Sequence, residues 1–401
     1  MPDAKFGNQP AGRLDAWVFP LFALPLFMSP ISTSGASIAK GLFALVWLAG
    51  GYARNWRKVL PRPWFWPAVA MLALNALGML WTADTARGLV VLSKLDWIFF
   101  AVAGAMLPWE RRRFILVARL FLAGLAVNAL IGALQWFHLF PWRPADPIVG
   151  PIGYADHIFL SMALANAIFW LAYDFKNETA LPRPLSAALA TLFFIQLVVT
   201  GGRAGQVAFV FLFPTALYML YSGRWRRWMM GMAALAFIGL ALSPMVHDRV
   251  RSGVDDLRQY INGKDETSLG LRFVFWKGAL EMAAEHPVLG VGTGDYGVEM
   301  VRLEQKRAIP RLPGFDFVHP HNSYLAYLAD LGLPGLFVLL WFLWAATREA
   351  WRWRGQPEAW FKLCYMAIFL IGSFTDTLIW GFDNAIALGI ITAIPVLAQG
   401  A

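Results

Sequence analysis

The stretch Val318-His319-Pro320-His321-Asn322-Ser323-Tyr324-Leu325 places two imidazoles and a carboxamide where a polar segment gives way to an apolar one. Pro320 suits the first turn of a helix, where its missing N–H costs nothing. His321 is then expected near the positive end of that helix's dipole, at a water–lipid boundary. Such an end attracts anions and disfavours protonation of a nearby imidazole. A neutral histidine beside bound phosphate is what a general base needs for attack on a phospholipid-linked substrate. Asn322 could hold the imidazole tautomer or a substrate hydroxyl. His319 precedes the proline and falls in the loop, with a packing or binding role.

Two guanidinium groups could join the imidazole. Arg203 follows Gly201-Gly202 at the start of an apolar run, again a helix N-terminus, and the glycines permit close backbone approach. Arg272 lies in the polar segment, on the shoulder of a helix's apolar face. Guanidinium groups bind phosphate bidentately, so this pair beside two helix ends would form a diphosphate clamp. The plainer alternatives are headgroup anchoring for Arg203 and a surface ion pair for Arg272. Asp156-His157 opens another apolar run and could position an acceptor or cap a helix. Lys94 and Asp96 interrupt an apolar run and could touch lipid phosphate; Asp376 and Asp383 stand near the ends of the last two runs. Histidines two apart can share an ion in extended backbone. No cysteine or carboxylate cluster flanks these two in the sequence, so neither a metal nor a cofactor is expected.

The elements that must carry these residues are membrane helices. The chain has 401 residues, 58% of them hydrophobic, with 20 tryptophans, more apolar surface than a soluble domain can bury. About twelve segments approach the ~20 residues needed per crossing. They run 15–30, 35–53, 64–81, 88–107, 113–139, 155–173, 185–200, 203–222, 227–244, 321–346, 358–380 and 383–400. Cys364, the single cysteine, lies inside one of them, which excludes disulfides and cysteine-based metal sites. The basic excess sits in short loops rather than on one polar module, so nucleic acid is not expected as a partner. The whole chain, 1–401, reads as one transmembrane domain.

Loop charge sets the orientation. Alternate loops carry Arg54, Arg57, Lys58 and Arg62; Arg111, Arg112 and Arg113; Lys176 and Arg183; Arg224, Arg226 and Arg227; and Arg348, Arg352 and Arg354. The intervening short loops hold Arg87, Arg143 and Arg203. Both termini are therefore expected in the cytoplasm. The 245–320 segment, between the ninth and tenth spans, is expected to be periplasmic or extracellular. It is nearly neutral, with 10 Lys and Arg against 11 Asp and Glu. Within it Leu269, Phe273, Trp276, Leu280 and Ala283 recur at helical spacing, with Lys277, Glu281 and Glu285 on another face. That pattern predicts an amphipathic helix on the membrane or capping the bundle. Gly290-Val291-Gly292-Thr293-Gly294 then reads as a loop, since no βαβ unit surrounds it.

Two stretches resemble the signatures of the O-antigen ligase/polymerase superfamily. The first is Leu271-Arg272-Phe273-Val274-Phe275-Trp276-Lys277 followed by Glu285-His286-Pro287-Val288-Leu289-Gly290-Val291-Gly292. The second is His321-Asn322-Ser323-Tyr324-Leu325 with Asp330-Leu331-Gly332-Leu333-Pro334-Gly335. They flank one long loop in the right order, with Arg203 in a Gly-Gly-Arg context upstream. The resemblance implies an all-α, GT-C-like membrane glycosyltransferase in the bacterial inner membrane, active on the periplasmic face. It implies transfer of polysaccharide from undecaprenyl diphosphate to lipid A–core, inverting and metal-independent. Arg203 and Arg272 would bind the diphosphate, and His321 would activate the acceptor hydroxyl. A single large loop favours a ligase over an O-antigen polymerase or a protein O-oligosaccharyltransferase. A polysaccharide or lipid transporter is the reading from a different class, kept open by the intramembrane acids.

Overall fold

Runs of apolar residues with glycine and proline at their ends leave the chain few choices besides helix, and a computed structural model shows helices joined by short turns. It describes residues 14–141, 152–242, 244–262, 267–312 and 315–397. Arg143 and Lys264 therefore lie outside the described residues. No strand occurs among them. The first helices are α1 (Asp15–Met28), α2 (Thr33–Ala49), α3 (Phe65–Gly78), α4 (Thr85–Ser93), α5 (Asp96–Ala105) and α6 (Arg111–Trp136). Next come α7 (His157–Asn177), α8 (Arg183–Val199), α9 (Arg203–Leu220), α10 (Gly223–Leu242) and α11 (Pro244–Ile261). The last are α12 (Ser268–Glu285), α13 (Tyr296–Gln305), α14 (Ser323–Arg352), α15 (Pro357–Gly372) and α16 (Phe382–Ala393).

Each of the twelve expected segments coincides with helix, the fourth being broken into α4 and α5 at Lys94-Leu95. Among the described residues five are long and apolar enough to cross a membrane, counting α4 with α5; the others are α6, α7, α9 and α14. A sixth is reached if α2 is joined to the bent turn Tyr52–Lys58. Apolar helices such as α1, α3 and α16 have 10–17 residues, which at 1.5 Å per residue fall short of a ~30 Å hydrocarbon core. Exposed apolar side chains such as Ile38, Leu45, Phe211, Leu235 and Trp344 face outward, as expected of a protein solvated by lipid.

α7 forms the centre, packed by α8, α9 and α15, while α14 packs on α3, α12 and α15. Trp170 of α7 meets Phe114 and Phe361 edge-on at 5.4 and 5.6 Å, the geometry that ring quadrupoles favour. A second, smaller cluster holds the 245–320 segment together. Phe275, Met282, Tyr296, Met300 and Phe317 bury one another there, against Ala329 of α14.

Two sequence expectations fail in this segment. The predicted stripe of Leu269, Phe273, Trp276, Leu280 and Ala283 is not the buried face of α12. Val274, Phe275, Ala279 and Met282 are buried instead, and Leu280 is exposed. The helix is gripped from more than one side, Phe273 also meeting Tyr260 of α11, so apolar residues encircle it. The amphipathic helix is α11, where Val254, Leu257 and Ile261 are exposed at helical spacing. The second failure concerns Pro320, which lies before the helix rather than in its first turn. Asn322 sets the start of α14, its Oδ1 accepting from the N–H groups of Tyr324 and Leu325 at 3.0 and 3.1 Å.

α14 itself is broken. Gly332 has φ 67° and ψ −161°, a conformation essentially closed to residues with a Cβ. A Cβ there would also meet the Pro287 carbonyl oxygen at 2.7 Å. The freed backbone groups are taken up by the glycine-rich loop. Val291 and Gly292 donate to the carbonyls of Ala329 and Asp330 at 3.0 and 2.9 Å, and Leu333 donates to that of Pro287 at 2.8 Å. The loop expected at 290–294 is therefore the clamp on the break, and the two signature stretches meet there.

Candidate active site

Asn322 is buried and its side chain is spent on the backbone, capping α14 and donating through Nδ2 to the Phe374 carbonyl at 3.3 Å. Contrary to one expectation, it makes no hydrogen bond to the imidazole. The turn after α15 supplies what Asn322 does not. Ser323 donates its N–H to the Ser373 carbonyl at 2.8 Å and its Oγ–H to the Asp376 carbonyl at 3.1 Å. That docking brings the Asp376 carboxylate to His321, Oδ1 to Nδ1 at 2.9 Å.

This contact fixes the tautomer. An ionised carboxylate only accepts, so Nδ1 carries the proton and Nε2 keeps its lone pair. The His321 side chain is 40% exposed and that of Asp376 19%, so the imidazole is reachable while its partner is largely shielded. His321 has φ 49°, a left-handed conformation uncommon outside glycine and of the kind found at functional sites. The Phe275 ring stacks on the imidazole at 6.0 Å, and Trp276 Nε1 donates to the Pro320 carbonyl at 3.0 Å. α12 thus holds the backbone and ring of His321 with two adjacent residues. Replacing Asp376 by asparagine would let the amide donate to Nδ1 and force the proton onto Nε2. The expected result is a kcat about 10²–10⁴ lower with donor KM unchanged, measured by initial rates.

Arg272 lies one turn before Phe275 on α12 and so faces the same region. Burial, chiefly, and the like charge of Arg203 hold its guanidinium below its ordinary value, while Asp376 pulls it upward. These effects put Asp376 and Arg203 each within electrostatic reach of Arg272. No carboxylate forms an ion pair with either guanidinium among the described residues. Arg203 begins α9, pressed against the start of α7. A Cβ on Gly202 would lie 2.2 Å from the His157 carbonyl oxygen, so the glycine is what permits the approach. Gly205 donates its N–H to Ser161 Oγ at 3.1 Å.

His319 contributes a second imidazole, its ring centre 4.4 Å from that of His321. Its Nδ1 accepts from the His321 N–H at 3.3 Å, which leaves its own proton on Nε2. Burial pushes its pKa down to about 4; His321 and Lys94 add to that effect and Asp376 opposes it. Lys94, at the break between α4 and α5, is thereby brought to the site, whereas Asp96 is paired with Lys40. The unfolded chain binds a proton at His319 between about pH 6.5 and 4 and the folded chain does not. Stability is therefore lost as pH falls through that window, by at most about 3 kcal/mol. A Tm that drops from pH 7 to pH 5, and drops less in His319→Gln, is the expected result.

Asp156 is the N-cap of α7, its Oδ1 accepting from Ile158 and Phe159 at 3.0 Å each. His157, beside Gly202, is only 3.8 Å from the Asp156 carboxylate, too long for a hydrogen bond. Ligand atoms of His319, His321 and Asp376 lie within 4.8 Å of one another, a set able to hold a metal ion. Sequence spacing hides it because the carboxylate arrives from 55 residues along the chain. The surroundings do not favour a dication: Lys94 and Arg272 already act electrostatically on members of this set, and like charges repel. The arrangement suits an anion beside an imidazole oriented by a carboxylate.

Residues 187–340 match the family model described as O-antigen ligase. Through this segment, somewhat over a third of the chain, the protein is similar to the O-antigen ligase family. The matched segment takes in Arg203, Arg272, His319, His321 and the clamp at Gly332, and it ends before Asp376. The long apolar helices mark a membrane protein, and the matched segment is similar to a family of ligase- or polymerase-type glycosyl transfer. No curated protein matches the chain. Asp376, the residue that sequence reasoning left ambiguous, had one signal: an acid at the end of an apolar run, on the side of the chain assigned to His321.

Proposed function

We propose that the protein is an O-antigen ligase, joining polysaccharide carried on undecaprenyl diphosphate to a sugar hydroxyl of lipid A–core. The observation that supports this reading is the His321–Asp376 pair, with the same Asp376 and Arg203 both acting electrostatically on the Arg272 guanidinium. Nε2 takes the proton of the acceptor hydroxyl as its oxygen attacks the anomeric carbon. The new glycosidic bond forms opposite the diphosphate, the bond to the diphosphate breaks, and configuration inverts. Arg203 and Arg272, with Lys94 nearby, stabilise the charge that develops on the leaving diphosphate. His319 backs the loop through its bond to the His321 N–H. Asp156 and His157, at the start of α7 beside Arg203, belong to the acceptor side.

The protein sits in the bacterial inner membrane with both termini cytoplasmic and the His321 end periplasmic, an orientation supported by the loop charges. The twelve helical segments make twelve crossings, the short ones spanning where neighbours and interfacial side chains thin the bilayer. Both lipid-borne substrates enter sideways from the bilayer, beside α11 and α12.

Purified protein in detergent, given lipid-linked donor and lipid A–core, is expected to form a glycosidic bond between them, with or without EDTA. Transfer to a second donor chain would make it a polymerase, and transfer to a serine-bearing protein a protein oligosaccharyltransferase. Formation of no new bond with any acceptor would make it a transporter, and loss of activity with EDTA would overturn the metal-free route.

A further inference from the structure

An ion pair stands on the outside wall of the bundle, at a level where hydrocarbon would be expected. Lys40 of α2 pairs with Asp96 of α5, and the Asp96 side chain is 45% exposed. Leu42 of α2 and Phe99 of α5 are exposed close by in the sequence. Phe382, the first residue of α16, is exposed as well, its ring 5.3 Å from Lys40 Nζ.

The depth of the pair follows from the register of its two helices. Lys40 precedes the inner end of α2 at Ala49 by nine residues, and Asp96 precedes that of α5 at Ala105 by nine. Seven residues beyond the pair, Trp47 Nε1 donates to the Ala103 carbonyl at 3.0 Å. Past both ends, Asn55 Nδ2 donates to the Met106 carbonyl at 3.0 Å. The helices thus run side by side, and the pair lies about 14 Å from their inner ends. That is nearly half of a ~30 Å hydrocarbon core. Charges exposed at such a depth are costly unless water or lipid headgroups reach them.

The wall on the outer side of the pair is more polar than the wall below it. Ser37 and Ser93 are exposed three residues outward on α2 and α4. Their hydroxyls donate to the carbonyls of Thr33 and Val90 at 3.0 and 2.7 Å. Thr33 and Ser34 are exposed beyond Ser37, whereas Leu42, Leu45 and Leu48 are exposed on the inner side of Lys40. Ile38, Leu89 and Val90 are exposed apolar exceptions above the pair, scattered side chains of the kind any protein surface carries. α16, which starts level with Lys40, has 12 residues, about 18 Å.

We infer that the outer leaflet is drawn down along α2, α5 and α16 as far as the Lys40–Asp96 pair, so that phospholipid headgroups and their water cover this flank. With both termini cytoplasmic, as proposed above, the inner ends of these helices mark the inner leaflet. The pair presents an ammonium group to headgroup phosphate and a carboxylate to headgroup ammonium. Local thinning is one way a bilayer meets helices shorter than itself. The lowered surface then lies level with the start of α16, just after the turn that carries Asp376.

The test places single cysteines in the full-length protein and labels spheroplasts with a membrane-impermeant maleimide. Thiols react as thiolates, which form in water and not in hydrocarbon. Cys364 is buried and is expected to stay silent. Ser37→Cys and Ser93→Cys are expected to label at least about tenfold faster than Leu45→Cys or Val210→Cys. Leu45 is exposed on α2 below the pair, and Val210 is exposed on α9 ten residues before its inner end at Leu220, a depth of about 15 Å. Exchanging the pair for apolar residues, Lys40→Leu/Asp96→Leu, is expected to slow labelling of Ser37→Cys about tenfold. Lys277→Cys and Arg112→Cys, both at exposed positions, report the outer and inner faces. Labelling of Arg112→Cys but not Lys277→Cys would overturn the orientation itself. Labelling of Lys277→Cys with silence at Ser37→Cys and Ser93→Cys would overturn the lowered surface alone, as would rates equal to that of Val210→Cys. An unchanged rate in the Leu pair would overturn the part given to Lys40 and Asp96.

Discussion

A His321→Ala chain is expected to insert and fold, yet to transfer polysaccharide about 10³-fold more slowly, within the range that general-base catalysis contributes. The imidazole holds its proton on Nδ1 against Asp376 at 2.9 Å, so its loss removes the oriented acceptor proposed for the incoming hydroxyl. Alanine is also a poor occupant of the left-handed backbone at this position, φ 49°. His321→Asn separates the two effects, because asparagine tolerates that conformation. Both variants should be equally inactive, and the asparagine variant the more stable. Lipopolysaccharide from a strain carrying either should run without its polysaccharide ladder. A normal ladder would refute the assignment of the base.

The second large effect is expected at Arg272. Arg272→Ala should reduce transfer about 10²–10³-fold, the usual loss when one preorganised donor to a developing oxyanion is removed. Arg272→Lys should recover only part of it, since an ammonium group keeps the charge but not the two-pronged geometry. Arg203 pushes the Arg272 guanidinium down by its like charge. The two are thus coupled, and the double variant should lose less than the product of the single losses. Initial rates with lipid-linked donor decide the matter. Wild-type rates for Arg272→Ala would remove the diphosphate clamp from the mechanism.

The sequence made the helices legible because membrane-length apolar runs leave little alternative, and all twelve expected segments coincide with helix. It also singled out Arg203, Arg272 and His321, each a charged or titratable group at the edge of an apolar run. What it hid were relations between elements. Asp376 reaches His321 only because Ser323 docks onto the turn at 373–376, and no local pattern encodes that. The face of α12 was misjudged because periodicity assumes one apolar side, whereas this helix is packed by α11 and α14 together. Pro320 was a plausible helix start, but the Asn322 side chain caps two N–H groups and decides the boundary.

Trp276 and Phe275 pin the His321 loop to the helix that also bears Arg272. Base and first guanidinium are consequently mounted on one strut, and a tilt of that strut carries both without altering their separation. The adjustable gap in the proposed site is the one to Arg203, which rides on α9. Thickness of the surrounding bilayer, by leaning α9 relative to α12, would then tune the grip on the carrier lipid while leaving deprotonation of the acceptor untouched.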